Sequence, residues 1–146
     1  MRSGSLCCLI NPYFARQSLT MKKAILTNEA PAPIGPYSQA IQAGNYLFIS
    51  GQIPIDPATG DLIQSTIEAE TDRVMKNLLA ILQAAGLAFE NVVSCTIYLR
   101  DMNDFGKVNG VYGSYFNSDT PPARATVQVS GLPKNVNIEI GAIAFK

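Results

Sequence analysis

The segment Asp119-Thr120-Pro121-Pro122-Ala123-Arg124-Ala125-Thr126-Val127 decides how the last part of the chain folds. Each proline fixes φ and lacks an N–H donor, so the pair excludes a helix and holds the backbone extended. The alternating run from Ala125 onward is typical of a β-strand. Between the prolines and the C-terminal lysine, the charged side chains are Arg124, Lys134 and Glu139. Lys134 belongs to a polar turn. We therefore expect one cation and one carboxylate on two largely buried strands, where a charge needs a partner.

Composition limits the classes of function. The chain has 146 residues, which suits one domain with a sizeable core. Eleven basic and eleven acidic residues give no net charge, so we expect neither a nucleic-acid-binding surface nor an electrostatic membrane anchor. Histidine is absent, which excludes an imidazole base, a Ser-His triad and a histidine-ligated metal.

The cysteines do not form the pattern of a disulfide scaffold or a zinc site. They are the neighbours Cys7 and Cys8 and the single Cys95, whereas such sites need more or regularly spaced cysteines. We interpret Cys95 as a small buried hydrophobic residue, with a nucleophilic thiol as the less favoured alternative. This cysteine usage predicts a reducing, cytoplasmic location.

Residues 1–20 differ from the rest of the chain. They contain Arg2 and Arg16, several serines and no acidic residue. The apolar run within them is too short to span a membrane and lacks a convincing secretory cleavage site. We expect a disordered or leader-like extension; organelle targeting is an alternative that we do not favour. Met21 then begins a single domain, residues 21–146.

Hydrophobic periodicity predicts six strands and two helices in the order β-β-β-α-β-α-β-β. Gly44-Asn45 is a hairpin signal of type II′. Ser65-Thr66-Ile67-Glu68 is a capping box that begins the first helix, and Gly86 ends that helix. An apolar stripe from Phe105 to Phe116 predicts the second helix. The predicted strands are Ala24–Leu26, Gln39–Ala43, Tyr46–Ser50, Val92–Leu99, Ala125–Val129 and Val136–Phe145. This order indicates an α+β fold with both helices on one sheet face and a homo-oligomer covering the other.

Alternation along the last two strands identifies candidate site residues. It places Arg124 and Glu139 on equivalent mixed faces of what we expect to be a strand pair. Three other residues have two interpretations each. Tyr37, in a proline-stiffened loop, is core filler or a pocket wall; Gly51 marks a bulge or a close ligand approach; Asn109 is solvent-exposed or faces a ligand.

Taken together, several segments resemble one known family, RidA (YjgF/YER057c/UK114), over about residues 22–146. The segments that carry the resemblance are Ile34-Gly35-Pro36-Tyr37-Ser38-Gln39-Ala40, Ser50-Gly51-Gln52-Ile53-Pro54, Asp104-Phe105 with Val108-Asn109, Pro121-Pro122-Ala123-Arg124, and Leu132-Pro133-Lys134 with Ile138-Glu139-Ile140.

The resemblance implies a homotrimer of chorismate-mutase-like α+β subunits with a mixed, mostly antiparallel sheet and active sites between subunits. It implies hydrolysis of 2-enamine and 2-imino acids to 2-oxo acids and ammonia, with no cofactor and no metal. Arg124 would bind the substrate carboxylate and Glu139 would place the attacking water. The remaining pocket positions would be Tyr37, Ser50, Gly51, Asn109 and Thr126. Thr126 stands where the family often has cysteine, so thiol modification at that position is not expected.

Two alternatives accompany this prediction. In the first, Arg124 and Glu139 form a structural ion pair between subunits, and the protein binds small ligands without catalysis. In the second, the protein is an endoribonuclease or translation inhibitor, names that the family has also carried. We rank the second below the first because the sequence has no basic stripe, no stacking array and no histidine.

Overall fold

The computed structural model describes residues 22–116 and 119–146, so the predictions for residues 1–20 lie outside the described residues. The predicted order of strands and helices is confirmed. The elements are β1 Lys23–Ile25, β2 Ala40–Ala43, β3 Tyr46–Gln52, α1 Ile67–Ala84, β4 Val92–Leu99, α2 Phe105–Gly113, β5 Ala123–Gln128 and β6 Ile138–Phe145. Neither helix in these ranges is long and apolar enough to cross a membrane.

The six strands form one mixed sheet in the order β1-β2-β3-β6-β4-β5. Every pairing is antiparallel except that of β4 with β5. The expectation that β5 and β6 pair with each other is therefore wrong, because β4 lies between them. Helix α2 acts as a crossover that returns β5 parallel to β4 on its outer side. The inner side of β4 is left for β6, and β5 becomes an edge strand.

Local signals define the ends of α1. The N-cap is Thr66, one residue later than the predicted Ser65 box, and its hydroxyl accepts a hydrogen bond from the Ala69 N–H at 3.1 Å. At the other end Gly86 has φ +73°. The Leu87 N–H donates to the Leu82 carbonyl at 2.9 Å, which completes a Schellman motif.

Both helices pack on one face of the sheet, as predicted. Core residues of α1, α2 and the central strands form one buried cluster that includes Leu78, Val108, Ile97 and Ile140. The opposite face, which we call the open face, is uncovered in the single chain. Tyr46 and Phe48 of β3 and Phe145 of β6 are among its exposed large hydrophobic residues. The sequence predicted such an apolar face, which a second copy could cover.

Two local features depart from simple sequence patterns. Strict alternation along Val92–Leu99 would place Val93 on the same face as buried Cys95, but the register of β4 shifts between Val92 and Ser94, so Val92 is buried and Val93 is 44 % exposed. A bulge of this kind reverses the alternation on its N-terminal side. In addition, α2 ends at Gly113, so Tyr115 and Phe116 pack against the core from beyond the helix.

Candidate functional site

The proline-rich loop before β2 presents Tyr37 at the surface. Buried Gln39 holds this loop, because its Nε2 donates to the carbonyls of Thr27, Ala30 and Pro31 at 2.9–3.1 Å. Tyr37 is exposed, and its hydroxyl accepts a hydrogen bond from the Ile34 N–H at 3.3 Å. The structure therefore favours the pocket-wall interpretation of Tyr37 over core filler.

The end of β3 lies beside this loop and directly below Glu139. The Ser50 hydroxyl donates to the Ser38 carbonyl at 2.7 Å, which ties the strand to the loop. A Cβ built on Gly51 would overlap the Glu139 carboxylate. The sheet register also shifts between Ile49 and Gln52. The bulge at Gly51 is therefore confirmed, and the Glu139 side chain approaches its backbone closely; a close ligand approach stays a prediction.

Glu139 is half-buried in the wall of a cavity at this end of the sheet, and burial raises the pKa of its carboxyl. No basic side chain in the described part of the chain forms an ion pair with it. The cavity has a volume of about 330 Å³ and is lined by Ile34, Tyr37, Ser50, Gly51, Ile53, Pro133 and Glu139. A second hollow extends from Glu139 across the open face. We call the cavity and this hollow together the acidic half-site.

Arg124 lies elsewhere, in a second cavity beside α2. Its guanidinium carbon is 4.8 Å from the ring centroid of Tyr112 and 5.7 Å from that of Phe105. Its Nη1 donates to Oδ1 of Asn109 at 2.8 Å. The cavity has a volume of about 350 Å³ and is lined by Asn109, Tyr112, Gly113, Phe116, Pro121, Pro122 and Arg124. We call this surface the basic half-site.

The expectation that Arg124 is buried is wrong. It lies on the edge strand β5, where most residues are exposed. No carboxylate of residues 22–116 or 119–146 forms an ion pair with it. Asn109 is exposed, and its amide oxygen accepts the hydrogen bond from Arg124, so its contact with a ligand stays a prediction.

The sheet register also contradicts the prediction that Arg124 and Glu139 share a face. Arg124 lies opposite Cys95 of β4, and Glu139 lies opposite Tyr98 of the same strand. Residues three apart on a strand point to opposite faces, so Arg124 faces the helices and Glu139 faces outward. Alternation shows which residues of one strand share a face. The error came from the expected pairing of β5 with β6, which gave the wrong match between the faces of the two strands.

The two half-sites are also separated within the sheet. Arg124 and Glu139 are two strands apart and offset by three residues. With a strand spacing of about 4.8 Å and a rise of about 3.4 Å per residue, their backbones are about 14 Å apart in the sheet plane. Thr126 shares the helix-side face with Arg124, and its buried Oγ1 has no hydrogen-bond partner among the described residues. The seven predicted site residues thus form two groups, one on each side of the sheet.

Sequence reasoning missed Phe105 and Tyr112 as site residues, because it assigned both to the core stripe of α2. Their spacing contains a signal. Phe105, Asn109 and Tyr112 lie at i, i+4 and i+7, which places them on one side of a helix. The described residues contain no group of three or more cysteine, aspartate or glutamate side chains that could hold a metal ion.

The described residues form an α+β fold in which Glu139 and Arg124 line separate surface cavities. A family model described as Endoribonuclease L-PSP matches residues 27–146. The chain is 57 % identical over 126 residues to a RutC family protein of Pyrococcus horikoshii, covering 86 % of this chain and 99 % of that one. It is 49 % identical over 129 residues to the mouse protein named 2-iminobutanoate/2-iminopropanoate deaminase, covering 88 % and 95 %.

A solved structure is also similar to this chain over most of its length. The crystal structure of E. coli TdcF with bound serine is 40 % identical, with a TM-score of 0.81, and the match covers 85 % of this chain and 98 % of that one. The chain therefore belongs to the RidA family, as its motifs predicted.

Proposed function

We propose that this protein hydrolyses reactive 2-imino acids and their 2-enamine forms, such as 2-aminoacrylate, to 2-oxo acids and ammonia. One observation carries the proposal. The described residues supply no carboxylate partner for Arg124 and no cationic partner for the half-buried Glu139. A small substrate with a carboxylate at one end and an electrophilic carbon beside it suits both groups. The activity named for the mouse relative is the same type of reaction.

The chemistry follows from the two side chains. The guanidinium of Arg124 offers a planar fork that binds a carboxylate through two parallel hydrogen bonds. Binding of the carboxylate fixes the position of the adjacent C2 atom relative to a water molecule. Glu139 would hold that water and accept its proton, and the raised pKa of its carboxyl makes it a stronger base than an ordinary glutamate.

The bonds and protons balance without another reactant. Glu139 takes a proton from the water as the water oxygen bonds to C2, and it passes that proton to the nitrogen as the C=N bond becomes a single bond. Glu139 then takes the proton of the new C2 hydroxyl and passes it to the nitrogen as well, so the C–N bond breaks and ammonia leaves as the C2 carbonyl forms. Because the imine carbon is already electrophilic, the proposal includes no covalent nucleophile, cofactor or metal.

We propose further that two copies of the chain complete each site. Within one chain a small acid cannot touch both Arg124 and Glu139, because the sheet separates them. Edge strand β5 of one copy, placed on the open face of the next, would bring Arg124 to the acidic half-site. This contact would also cover the exposed Tyr46 and Phe48. The resemblance to RidA implies a chorismate-mutase-like homotrimer with three such sites, and we adopt it. A cytoplasmic location accords with the free thiol of buried Cys95.

The test couples the protein to an enzyme that releases a 2-imino acid. A pyridoxal-phosphate-dependent threonine dehydratase supplies 2-iminobutanoate, and the rate of 2-oxobutanoate formation is compared with that in buffer alone. We expect faster conversion with the wild type and none of that gain with Arg124→Ala. Light scattering should give the same assembly mass for both proteins.

Each other result has a distinct meaning. Lack of acceleration by the wild type would refute the deaminase. Binding of 2-oxobutanoate without acceleration would favour the ligand-binding alternative. Dissociation of the assembly in Arg124→Ala would favour the structural ion pair.

A further inference from the structure

We infer that Phe105 and Tyr112 form an aromatic clamp that positions Arg124 to receive the substrate carboxylate, an inference that rests on the proposed function. Both rings come from one side of α2, and Arg124 reaches them from the neighbouring edge strand β5. The guanidinium carbon is 4.8 Å from the Tyr112 centroid and 5.7 Å from the Phe105 centroid. These distances are within the range of cation–π attraction.

The clamp acts together with Asn109. The amide oxygen of Asn109, midway between the rings along α2, accepts a hydrogen bond from Nη1 of Arg124 at 2.8 Å. A ring contact uses the face of the guanidinium, whereas hydrogen bonds lie in its plane. Among the described residues the guanidinium donates one hydrogen bond, to Asn109, so its other N–H groups are left for a carboxylate while the rings restrain the side chain.

Restraint has a physical benefit at this position. Arg124 lies on an exposed edge strand, where a long side chain would otherwise sample many rotamers. Ordering such a side chain when a ligand binds reduces the affinity. A guanidinium that is already held by two rings and an amide loses less freedom on binding. The clamp should therefore tighten carboxylate binding and leave the chemical step at Glu139 largely unchanged.

Tyr112 contributes through its ring face. Burial raises the pKa of its phenol, and the neighbouring Cys95 thiol raises it further, so the phenol remains neutral beside the cation. The hydroxyl has no hydrogen-bond partner among the described residues, and the guanidinium donates to Asn109 instead. Removal of the hydroxyl should accordingly have little effect on Arg124, whereas loss of the ring should release it.

The test compares variants that keep or remove each ring. Phe105 is 40 % exposed, so Phe105→Leu removes the aromatic face at little risk to the fold. Phe105→Tyr and Tyr112→Phe keep the rings, and Tyr112→Leu removes the second one. Met102→Leu, at a residue 39 % exposed in the preceding turn, is the matched control. The readouts are KM and kcat in the coupled dehydratase assay, and the calorimetric Kd for 2-oxobutanoate.

We expect Phe105→Leu to raise both KM and Kd about fivefold, from the usual strength of a partly exposed cation–π contact, with kcat within about twofold of wild type. Met102→Leu should retain wild-type values, and Phe105→Tyr and Tyr112→Phe, which keep the rings, should raise KM and Kd less than the corresponding leucine variants do. Unchanged KM and Kd in Phe105→Leu would overturn the clamp, as would equal losses in Phe105→Tyr. A wild type that does not accelerate conversion would refute only the deaminase proposal. The ratio of the Kd values of Phe105→Leu and wild type for 2-oxobutanoate would still test the clamp. A wild type that neither accelerates conversion nor binds 2-oxobutanoate would overturn both.

Discussion

Two inactive variants of this protein should restore activity when they assemble together. Arg124→Ala leaves the acidic half-site intact, and Glu139→Gln leaves the basic half-site intact. Each variant alone should lose about a hundredfold or more of the activity, because each lacks a group that positions or activates a reactant. In a mixed assembly, some contacts join an intact Arg124 from one copy to an intact Glu139 from the next.

The size of the recovery follows from the opposite faces of the sheet. If one copy supplies Arg124 and its neighbour supplies Glu139, an intact site needs one chain of each type in a fixed order. At equal amounts of the two variants, the copy that supplies Arg124 is the Glu139→Gln variant with a probability of one half. The copy that supplies Glu139 is the Arg124→Ala variant with the same probability. About one quarter of the sites should therefore be intact. The activity should follow the product of the two chain fractions and be greatest at equal amounts.

The assay co-refolds the two variants over a range of ratios and measures 2-oxobutanoate formation in the coupled dehydratase reaction. Each variant co-refolded with wild type is the control for assembly. The two variants, refolded separately and then combined, should remain inactive unless subunits exchange between the assemblies. Activity that stays at the level of the single variants at every ratio, while native mass spectrometry detects mixed assemblies, would refute a site shared between copies.

Four further outcomes are expected. Gly51→Ala should abolish activity because its Cβ overlaps the Glu139 carboxylate, whereas Gly106→Ala, which meets no atom within 4 Å, should remain active; an active Gly51→Ala would contradict the geometry. The pKa of Glu139 is raised by burial, so kcat/KM should fall with decreasing pH at a pKa above the ordinary glutamate value; this acidic limb should be absent from the residual activity of Glu139→Gln. The same raised pKa means that ionised Glu139 opposes folding. This cost is absent below the unfolded pKa of Glu139 and fully present above its folded pKa. Glu139→Gln should therefore raise Tm at pH 7 more than at pH 4, and an equal change at both pH values would argue against this cost. Thr66→Ala removes the N-cap of α1 and should cost about 1 kcal/mol in urea unfolding, with unaltered KM; a stability equal to wild type would show that the cap is dispensable.

Local features of the fold could be predicted from the sequence, because each depends on residues close together in the chain. Gly44 has φ 60° at the predicted hairpin, and Gly86 ends α1 as its position indicated. The pairing of β5 with β4 could not be predicted in this way. It depends on where α2 lies on the sheet, which alternation along a single strand does not report. The prediction that Arg124 was buried failed for the same reason, because the burial of a strand depends on its neighbours.

The candidate residues were identified partly through a premise that is wrong. Arg124 was selected as a charge on a buried strand, but it is exposed, and Glu139 is half-buried on the other face. The underlying rule still applies to Glu139, since a carboxylate removed from water needs a compensating group. Gly51 leaves the space in which this carboxylate lies. The sequence could identify both residues, but only the sheet register shows that they belong to separate half-sites.

Because Arg124 lies on an edge strand, we expect copies to associate head to tail, with β5 of each copy on a different surface of the next. Ala123, Ala125 and Val127 of β5 are exposed and uncharged, so this edge has little besides Arg124 to prevent association. The acidic half-site lies on a different face of the same chain, so the proposed contact between copies would be heterologous. Such contacts form a closed ring when the rotation closes and an open filament when it does not. A ring of three would give every Arg124 a neighbouring Glu139 and would leave no copy of β5 uncovered. Light scattering that gives a single mass of three chains, unchanged from micromolar to millimolar concentration, is the expected result; a mass that grows with concentration would indicate an open array and contradict the closed ring.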